Sequence, residues 1–372
     1  MPQHDLQRYF LPLINEHVAL GPESSVLEQG YYDPSGALAA AVKAGHVLAL
    51  RPTIDLATEL DGLAREQRLA TLETKLGDAV TAEERGTYDA ALILAPFFLG
   101  NEPVRQAILT AALALKPAGT LYLQVHKSHG AKTFLRFAEE AFGRVELLGL
   151  GGGQRRLYGA TEPKAIEALA SVESKEEQLT GLSARGVTLK LKFVAGVFSA
   201  KRVDAGTQLL IQTVDLPSGA RVLDLGCGAG AIGLAVAAGD KRAKVVLVDS
   251  SKAAVDLAGE NAALNDVKNV EIRLSDGYEA VTGERFDTIL SNLPAHRGMQ
   301  ADTEAAERFI AQAPLYLREG GELWVVANKA LPYELPASRS FREVRVAAND
   351  GRYKVLHCKG AQKATMRRRS SL

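Results

Sequence analysis

The chain is poor in cysteine, with only Cys227 and Cys358, and has no imbalance of charge, since 44 lysines and arginines meet 44 aspartates and glutamates. Two cysteines cannot build the disulfide framework of a small secreted domain. Neither lies in a CxxC or Cys/His ligand spacing, so a reducing cytoplasm and no metal site are expected. A formal net charge of zero removes the signature of a strongly basic nucleic-acid-binding domain, and any RNA contact must come from a local patch. No apolar run approaches the roughly 18 residues that span a bilayer. The start MPQHDLQRYF lacks the positive stretch and apolar run of a secretory signal. No membrane partner is expected.

What is present reads as a folded protein of two domains. The length of 372 residues, with 47% hydrophobic and 24% charged, suits two cores of ordinary size. The polar stretch SVESKEEQLTGLS (171–183) separates two segments rich in apolar runs, which sets expected domains at 1–175 and 182–360. A basic tail, 361–372, is expected to be disordered. In each half, β-rich runs such as VLAL (47–50), ALILA (91–95), RVLDL (221–225) and KVVLVD (244–249) are separated by alanine-rich amphipathic stretches. That alternation predicts an α/β fold with a mainly parallel sheet.

The halves also resemble each other. YDAALILAPFFLG (88–100) matches FDTILSNLPAHRG (286–298), LKPAGTLYLQV (115–125) matches LREGGELWVV (317–326), and GQRRLYG (153–159) is a weaker partner for GRYKVLH (351–357). Three pairs in one order, at an offset of about 200 residues, point to a duplicated domain. The copies differ where chemistry would sit. In the first, VLAL runs into RPTID with no glycine turn, and Ala95 and Pro96 are read in the places of Asn292 and Leu293. The first domain is therefore expected to be a degenerate, non-catalytic copy.

In the second half RVLDL is followed by GCGAGAIG, and only glycine lets backbone approach a ligand closely at a strand-to-helix turn. Gly228, Gly230 and Gly233 also spell the GxGxxG of dinucleotide-binding folds, with Asp249 closing the next strand, so a nicotinamide enzyme is a rival at this point. Three features separate the two. Asp224 lies just before the first glycine, where a carboxylate favours the ammonium of a methionine group and repels a pyrophosphate. Asp276 in RLSDGY ends a third strand, placed to accept a hydrogen bond from an adenine amine. The fourth strand, FDTILSN, ends in Asn292-Leu293-Pro294-Ala295-His296, at the carboxyl edge where open α/β sheets bind ligands.

DLGCGAG, VDSS, SDG and SNLPAH, in this order on these strand ends, resemble the motifs of class I methyltransferases. GVFSAKRVDAGTQLL (196–210), AHRGMQ, GGELWVVANKALPYE (320–334) and GRYKV (351–355) extend the resemblance to the ribosomal RNA small subunit methyltransferase C family, over 181–360 strongly and the first half weakly. The resemblance implies two tandem Rossmann-like domains, the first degenerate, with an antiparallel hairpin at the C-terminal end of the sheet. It implies S-adenosylmethionine as methyl donor, S-adenosylhomocysteine as product, and the exocyclic N2 amine of a guanine in 16S ribosomal RNA as acceptor. The RNA or the small ribosomal subunit is the implied partner, and a monomer the default expectation.

The cofactor-binding candidates are Asp224, Gly226, Cys227, Gly228, Gly230, Asp249, Ser250, Asp276, Gly277 and Asn292. Asn292, Leu293 and Pro294 are the catalytic candidates, because the Asn292 oxygen and the Leu293 carbonyl can each accept one hydrogen of the amine. Phe198, His296 and Arg297 are the substrate-binding candidates. The sequence departs from the family's usual Asn-Pro-Pro-Phe-His at Leu293 and Ala295. Alanine removes a stacking surface worth roughly 1–3 kcal/mol per base, for which His296, Phe198 or Tyr333 are possible substitutes. Lys201, Arg202, Arg297, Lys329, Arg352, Lys354 and the tail MRRRSS (366–371) are candidates for RNA phosphates. The Asn-Pro type of motif also serves 23S RNA, other amines and amides, and a catalytically retired RNA-binding or assembly protein is the alternative of a different class.

Overall fold

A computed structural model describes residues 12–31, 33–95, 101–164, 178–193, 203–293 and 300–362. The chain divides into two compact units, Met1–Glu176 and Glu177–Leu372. The first holds strands β1 (Ser25–Gln29), β2 (His46–Arg51), β3 (Leu72–Leu76), β4 (Tyr88–Leu94), β5 (Leu115–His126), β6 (Phe142–Gly151) and β7 (Arg155–Pro163). The second opens with the hairpin β8 (Gln178–Ala184) and β9 (Val187–Phe193), so the polar stretch 171–183 that reads as a linker ends inside a strand. Its main sheet comprises β10 (Arg221–Leu225), β11 (Lys244–Asp249), β12 (Val270–Leu274), β13 (Phe286–Asn292), β14 (Leu317–Asn328), β15 (Phe341–Asn349) and β16 (Tyr353–Ala361).

Each unit is built on one seven-stranded sheet, ordered β3-β2-β1-β4-β5-β7-β6 in the first and β12-β11-β10-β13-β14-β16-β15 in the second. The first five strands of each order are parallel, and the last two close the sheet antiparallel. Even the irregularities repeat. The register slips between Tyr88 and Ala90 as it does between Phe286 and Thr288, and between Leu147 and Gly149 as between Val346 and Ala348. Bulges are specific local features, and two at matching positions mark the units as copies of one architecture.

The central strands are apolar on both faces, as buried parallel strands must be. Along β10 and β11, Val222, Val245 and Leu247 enter one core, while Leu223, Leu225, Val246 and Val248 enter the core on the opposite face. With both faces covered by helices, only the carboxyl edge is left to receive a ligand. The strand order reverses between β10 and β13, which makes the crevice above them the natural binding position. Among the described residues no helix is long and apolar enough to cross a membrane.

The strand pairing corrects two correspondences drawn from sequence. VLAL belongs to β2, whose Ala49 pairs with Glu28, and so it is the counterpart of β11, whose Leu247 pairs with Asp224. The counterpart of the glycine-loop strand is β1, and it does run into a glycine, Gly30. Likewise Leu94 faces Gln124 as Asn292 faces Val326, so Leu94, not Ala95, stands in the place of Asn292. The ungapped match of 88–100 with 286–298 itself sets Leu94 against Asn292 and the ladder agrees with it; the Ala95 reading is one residue out of that match.

With that register, Glu28 occupies the position of Asp224, and Arg51, which pairs with Leu76 as Asp249 pairs with Leu274, occupies that of Asp249. Both side chains are buried, and Arg51 Nη1 donates to Glu28 Oε2 at 2.7 Å and to the Leu50 carbonyl at 2.8 Å. Burial pushes the Glu28 carboxyl up to about 7 despite the opposing pull of the Arg51 guanidinium. Removing one partner of such a pair strands a buried charge. Arg51→Met should therefore destabilise the first unit by roughly 3–5 kcal/mol, and Glu28→Leu with Arg51→Met should recover most of that loss. Urea unfolding at pH above the Glu28 value measures both; a single variant as stable as wild type would refute the account.

Candidate cofactor and substrate site

The turn after β10 is shaped by glycines in the left-handed region, Gly226 (φ 73°), Gly228 (φ 54°) and Gly230 (φ 83°), where a side chain would be strained. The turn is held from below. Gly226 N and Cys227 N both donate to the Val248 carbonyl at 2.9 and 3.0 Å, and Gly228 N donates to Asp249 Oδ2 at 2.8 Å. No atom lies within 4 Å of where a Cβ on Gly228 would stand, so the upper side of the loop is open. The loop leads into the helix Ala231–Gly239, the N-terminal end of whose dipole favours negative or electron-rich groups.

Asp224 is fully buried beneath this loop. Its Oδ2 accepts from Gly233 N at 2.8 Å, and Oδ1 has no hydrogen-bond partner among the described residues. Burial pushes the carboxyl up to about 7, the Gly233 hydrogen bond pulls it down, and Asp249 pushes it further up. An orphaned buried acceptor next to an open glycine cradle fits a ligand that brings a cation. Cys227 is buried, and burial, reinforced by Asp249 and Asp224, drives its thiol well above its usual range, so it contributes backbone and not a thiolate.

Asp249 closes β11 beside the loop. Its Oδ1 accepts from Ser251 N at 2.9 Å, next to the half-buried Ser250, and Ser251 caps the helix Lys252–Leu264. The third strand end is brought alongside by Ser275 N, which donates to the Asp249 carbonyl at 2.8 Å. Here the structure adds a competitor: Asp276 Oδ1 is engaged by Arg308 Nη2 at 3.0 Å, so this carboxylate is shared between a guanidinium and any adenine amine. Gly277 (φ 53°) lies 3.3 Å, measured from its would-be Cβ, from the ring of Phe309, which also comes within 4.0 Å of the same point on Gly226. Phe309, on the helix Gln300–Gln312, thus packs between two glycine turns of the site. Sequence reasoning missed it, because one aromatic in an amphipathic helix looks like any core residue.

The most informative contacts are at the end of β13. Asn292 Nδ2 donates to Asp204 Oδ2 and to Thr207 Oγ1, both at 2.9 Å. Asp204 is the N-cap of the helix Ala205–Thr213, accepting from Gly206 N at 2.8 Å, Thr207 N at 3.2 Å and Thr207 Oγ1 at 2.6 Å. A carboxylate can only accept, so the end of the amide facing it must be the NH2 end. The Asn292 oxygen is consequently the end turned away from Asp204. Leu293 follows with its N–H donated to the Val326 carbonyl at 3.0 Å and its side chain buried. Asp204 and Thr207 were not among the residues singled out from sequence, although the D-x-x-T spacing ahead of an apolar run is a helix-start signal.

Pro294, Ala295, His296, Arg297, Phe198, Lys201, Arg202 and the tail 366–371 lie outside the described residues. Of the remaining candidates, Tyr333 is buried in the core on one face of the sheet and offers no plane to a base. Lys354 is also buried, with Nζ on both Glu334 oxygens at 2.6 and 2.7 Å, so it braces the fold and is not a phosphate contact. Lys329 and Arg352 are exposed and joined through backbone, Lys329 N to the Arg352 carbonyl at 2.9 Å. Among the described residues no group of three or more histidine, cysteine or acidic side chains is placed to hold a metal.

Residues 188–357 match the family model of the methyltransferase small domain. The chain is 32% identical over 315 residues to the ribosomal RNA small subunit methyltransferase C of Escherichia coli O157:H7, covering 81% of this chain and 88% of the relative. It is 40% identical over 167 residues to the protein of that name from Hamiltonella defensa, an alignment that spans 45% of this chain and 49% of the relative. A solved structure of the T. thermophilus 16S rRNA N2 G1207 methyltransferase, in complex with AdoMet and guanosine, superposes with a TM-score of 0.80 at 26% identity, covering 97% of this chain and 92% of that one.

The elevated Asp224 carboxyl has a measurable consequence for stability. Its folded value of about 7 lies above its ordinary 3.8, so the folded chain keeps a proton that the unfolded chain has lost. That contribution is complete below the ordinary value and disappears as pH rises through the folded one. Asp224→Asn should flatten the decline in urea midpoint between about pH 4 and about pH 7; an unchanged slope would mean that the carboxyl is ionised throughout.

Proposed function

The chain belongs to the ribosomal RNA small subunit methyltransferase C family, and from that premise we propose that its second unit methylates the exocyclic N2 amine of a guanine in 16S ribosomal RNA. S-adenosylmethionine, when bound, supplies an electrophilic methyl group on a sulfonium. The residues proposed to hold it are Asp224, Gly226, Cys227, Gly228, Gly230, Asp249, Ser250, Asp276, Gly277 and Asn292. The open glycine cradle and the unpartnered Asp224 Oδ1 support this: a buried carboxylate gains most from a ligand ammonium, and Asp249 is at a strand end suited to ribose hydroxyls.

One observation carries the assignment of the reacting end, namely the Asn292 amide locked by Asp204. An exocyclic amine on an aromatic ring is a weak nucleophile because its lone pair is delocalised. Two hydrogen-bond acceptors on its two hydrogens favour a pyramidal nitrogen with the lone pair exposed. Asn292 Oδ1 and the Leu293 carbonyl are the proposed acceptors. The first is oriented through Nδ2, and the second sits on a peptide anchored to β14 through its N–H. Pro294 completes the turn in the proposal, and Phe198, His296 and Arg297 are assigned to the substrate by resemblance. Acceptors already in place cost no reorganisation when the reaction occurs. The nitrogen becomes acidic only once it is alkylated, so no strong base is required. The target base must leave its stack to reach this edge. Ribosomal RNA is met in the cytoplasm, where we place the enzyme.

We assign the first unit no catalytic role. In the three positions that matter it carries Glu28, Arg51 and Leu94 in place of Asp224, Asp249 and Asn292. Its buried ion pair occupies the strand ends that would otherwise meet an ammonium and a ribose, and leucine offers no acceptor. Calorimetric titration with S-adenosylmethionine should therefore give one site per chain, and a second site would overturn the assignment.

Methyl transfer from labelled S-adenosylmethionine to unmodified 16S RNA, 23S RNA and small subunits, with nucleoside analysis, tests the main proposal. N2-methylguanine in 16S RNA is the expected product, and cofactor binding without transfer to any RNA would sink it. Asn292→Ala should lower kcat by roughly 100- to 1,000-fold, the scale seen when one preorganised polar contact is removed from an active site. Asp204→Asn is the sharper variant, since asparagine caps a helix as well as aspartate does but no longer dictates which end of Asn292 faces it. It should lower kcat by about tenfold, equivalent to about 1.4 kcal/mol, with cofactor affinity unchanged.

A further inference from the structure

The hairpin β8–β9 is fastened to the second unit by side chains on its free edge. One edge of β9 pairs with β8. The other edge is met by two asparagines of the helix Lys252–Leu264 and its C-cap. Asn261 Oδ1 accepts from Lys192 N at 2.7 Å while its Nδ2 donates to the Lys192 carbonyl at 3.0 Å. Asn265 Oδ1 accepts from Lys190 N at 2.9 Å while its Nδ2 donates to the Lys190 carbonyl at 2.8 Å. Four residues of helix rise about 6 Å and two residues of strand about 6.8 Å, so amides at i and i+4 of a helix match every second residue of a strand. The two side chains substitute for a missing strand.

They differ in one bond. The second N–H of Asn265 returns to its own helix, donating to the Asn261 carbonyl at 2.8 Å. The second N–H of Asn261 donates to the Ala229 carbonyl at 2.9 Å. Ala229 lies between Gly228 and Gly230, both in the left-handed region, and Asn261 is wholly buried. A loop of glycines gains its definition from its partners, because its own torsional preferences are weak.

We propose that Asn261 is a positioning residue for the cofactor: it holds the glycine loop in its open-cradle conformation through Ala229 and ties that conformation to β9. This inference rests on the cofactor site proposed above. Asn265 performs the same docking without touching the loop and serves as the internal control. It follows that loop order and hairpin attachment are separable.

The test compares Asn261→Ala, the nearly isosteric Asn261→Asp, which keeps the acceptor for Lys192 N and loses both donations, and Asn265→Ala. Affinity for S-adenosylmethionine is measured by calorimetry, Tm by thermal unfolding, and amide exchange over residues 226–231 by mass spectrometry. Both Asn261 variants should weaken cofactor binding by about tenfold or more, with faster exchange in the loop and a raised KM for cofactor at nearly unchanged kcat. Asn265→Ala should lower Tm while leaving affinity within about twofold. Should Asn261→Ala fail to fold, Asn261→Asp decides. Wild-type affinity in an Asn261 variant, or equal losses in the Asn261 and Asn265 variants, would overturn the inference. A wild-type chain that does not bind the cofactor would instead bring down the cofactor site itself.

Discussion

Asp204 accepts hydrogen bonds and can do nothing else, and that limitation decides which end of the Asn292 amide faces it and which is turned away. The consequence extends outward through the second unit. For the amide to be held, the start of the helix Ala205–Thr213 must lie against the end of β13. For the Leu293 carbonyl to stand beside it, β13 must pair with β14 through Val326. A capping interaction contributes only about 1 kcal/mol to a helix; here the same carboxylate also orients the Asn292 amide at the end of β13.

The comparison between the two units isolates what makes one of them suited to chemistry. Sheet order, strand polarity and two bulges are the same, so architecture alone cannot distinguish them. The differences are local and electrostatic. In the second unit two acids, Asp224 and Asp249, stand at adjacent strand ends, and Asp249 adds to the burial that pushes the Asp224 carboxyl up. In the first, arginine replaces the second acid and the pair is closed on itself. One fold can keep its sheet and core while the charge sign at a strand end is exchanged, which is why fold and function must be argued separately.

Much of this was legible beforehand. Runs such as KVVLVD, β-branched and bounded by turn residues, read as buried strands, and a strand that runs into GCGAGA reads as a turn that needs glycine conformations. The order of Asp224, Asp249, Asp276 and Asn292 along the chain assigned each to a strand end because α/β units alternate regularly. Legibility failed where the answer depended on register or on distant partners. Setting VLAL against RVLDL is one strand off, since apolar runs look alike and only the pairing tells β2 from β1. Tyr333 and Lys354 looked like surface candidates and are buried, because nothing in a short polar stretch tells which side chain turns inward.

The sequence by itself determined the duplicated α/β architecture, the glycine turn and the family, since each of these rests on local periodicity or on motif order, which a linear chain expresses directly. Only the tertiary structure decided that Glu28 and Arg51 stand in for the two acids, that Arg308 shares Asp276, that Asn261 reaches Ala229, and that Asp204 turns the Asn292 amide. Each of those is a contact between residues far apart in the chain, and hydrogen bonds and ion pairs are set by distance and direction in space, about which the spacing of letters carries no information.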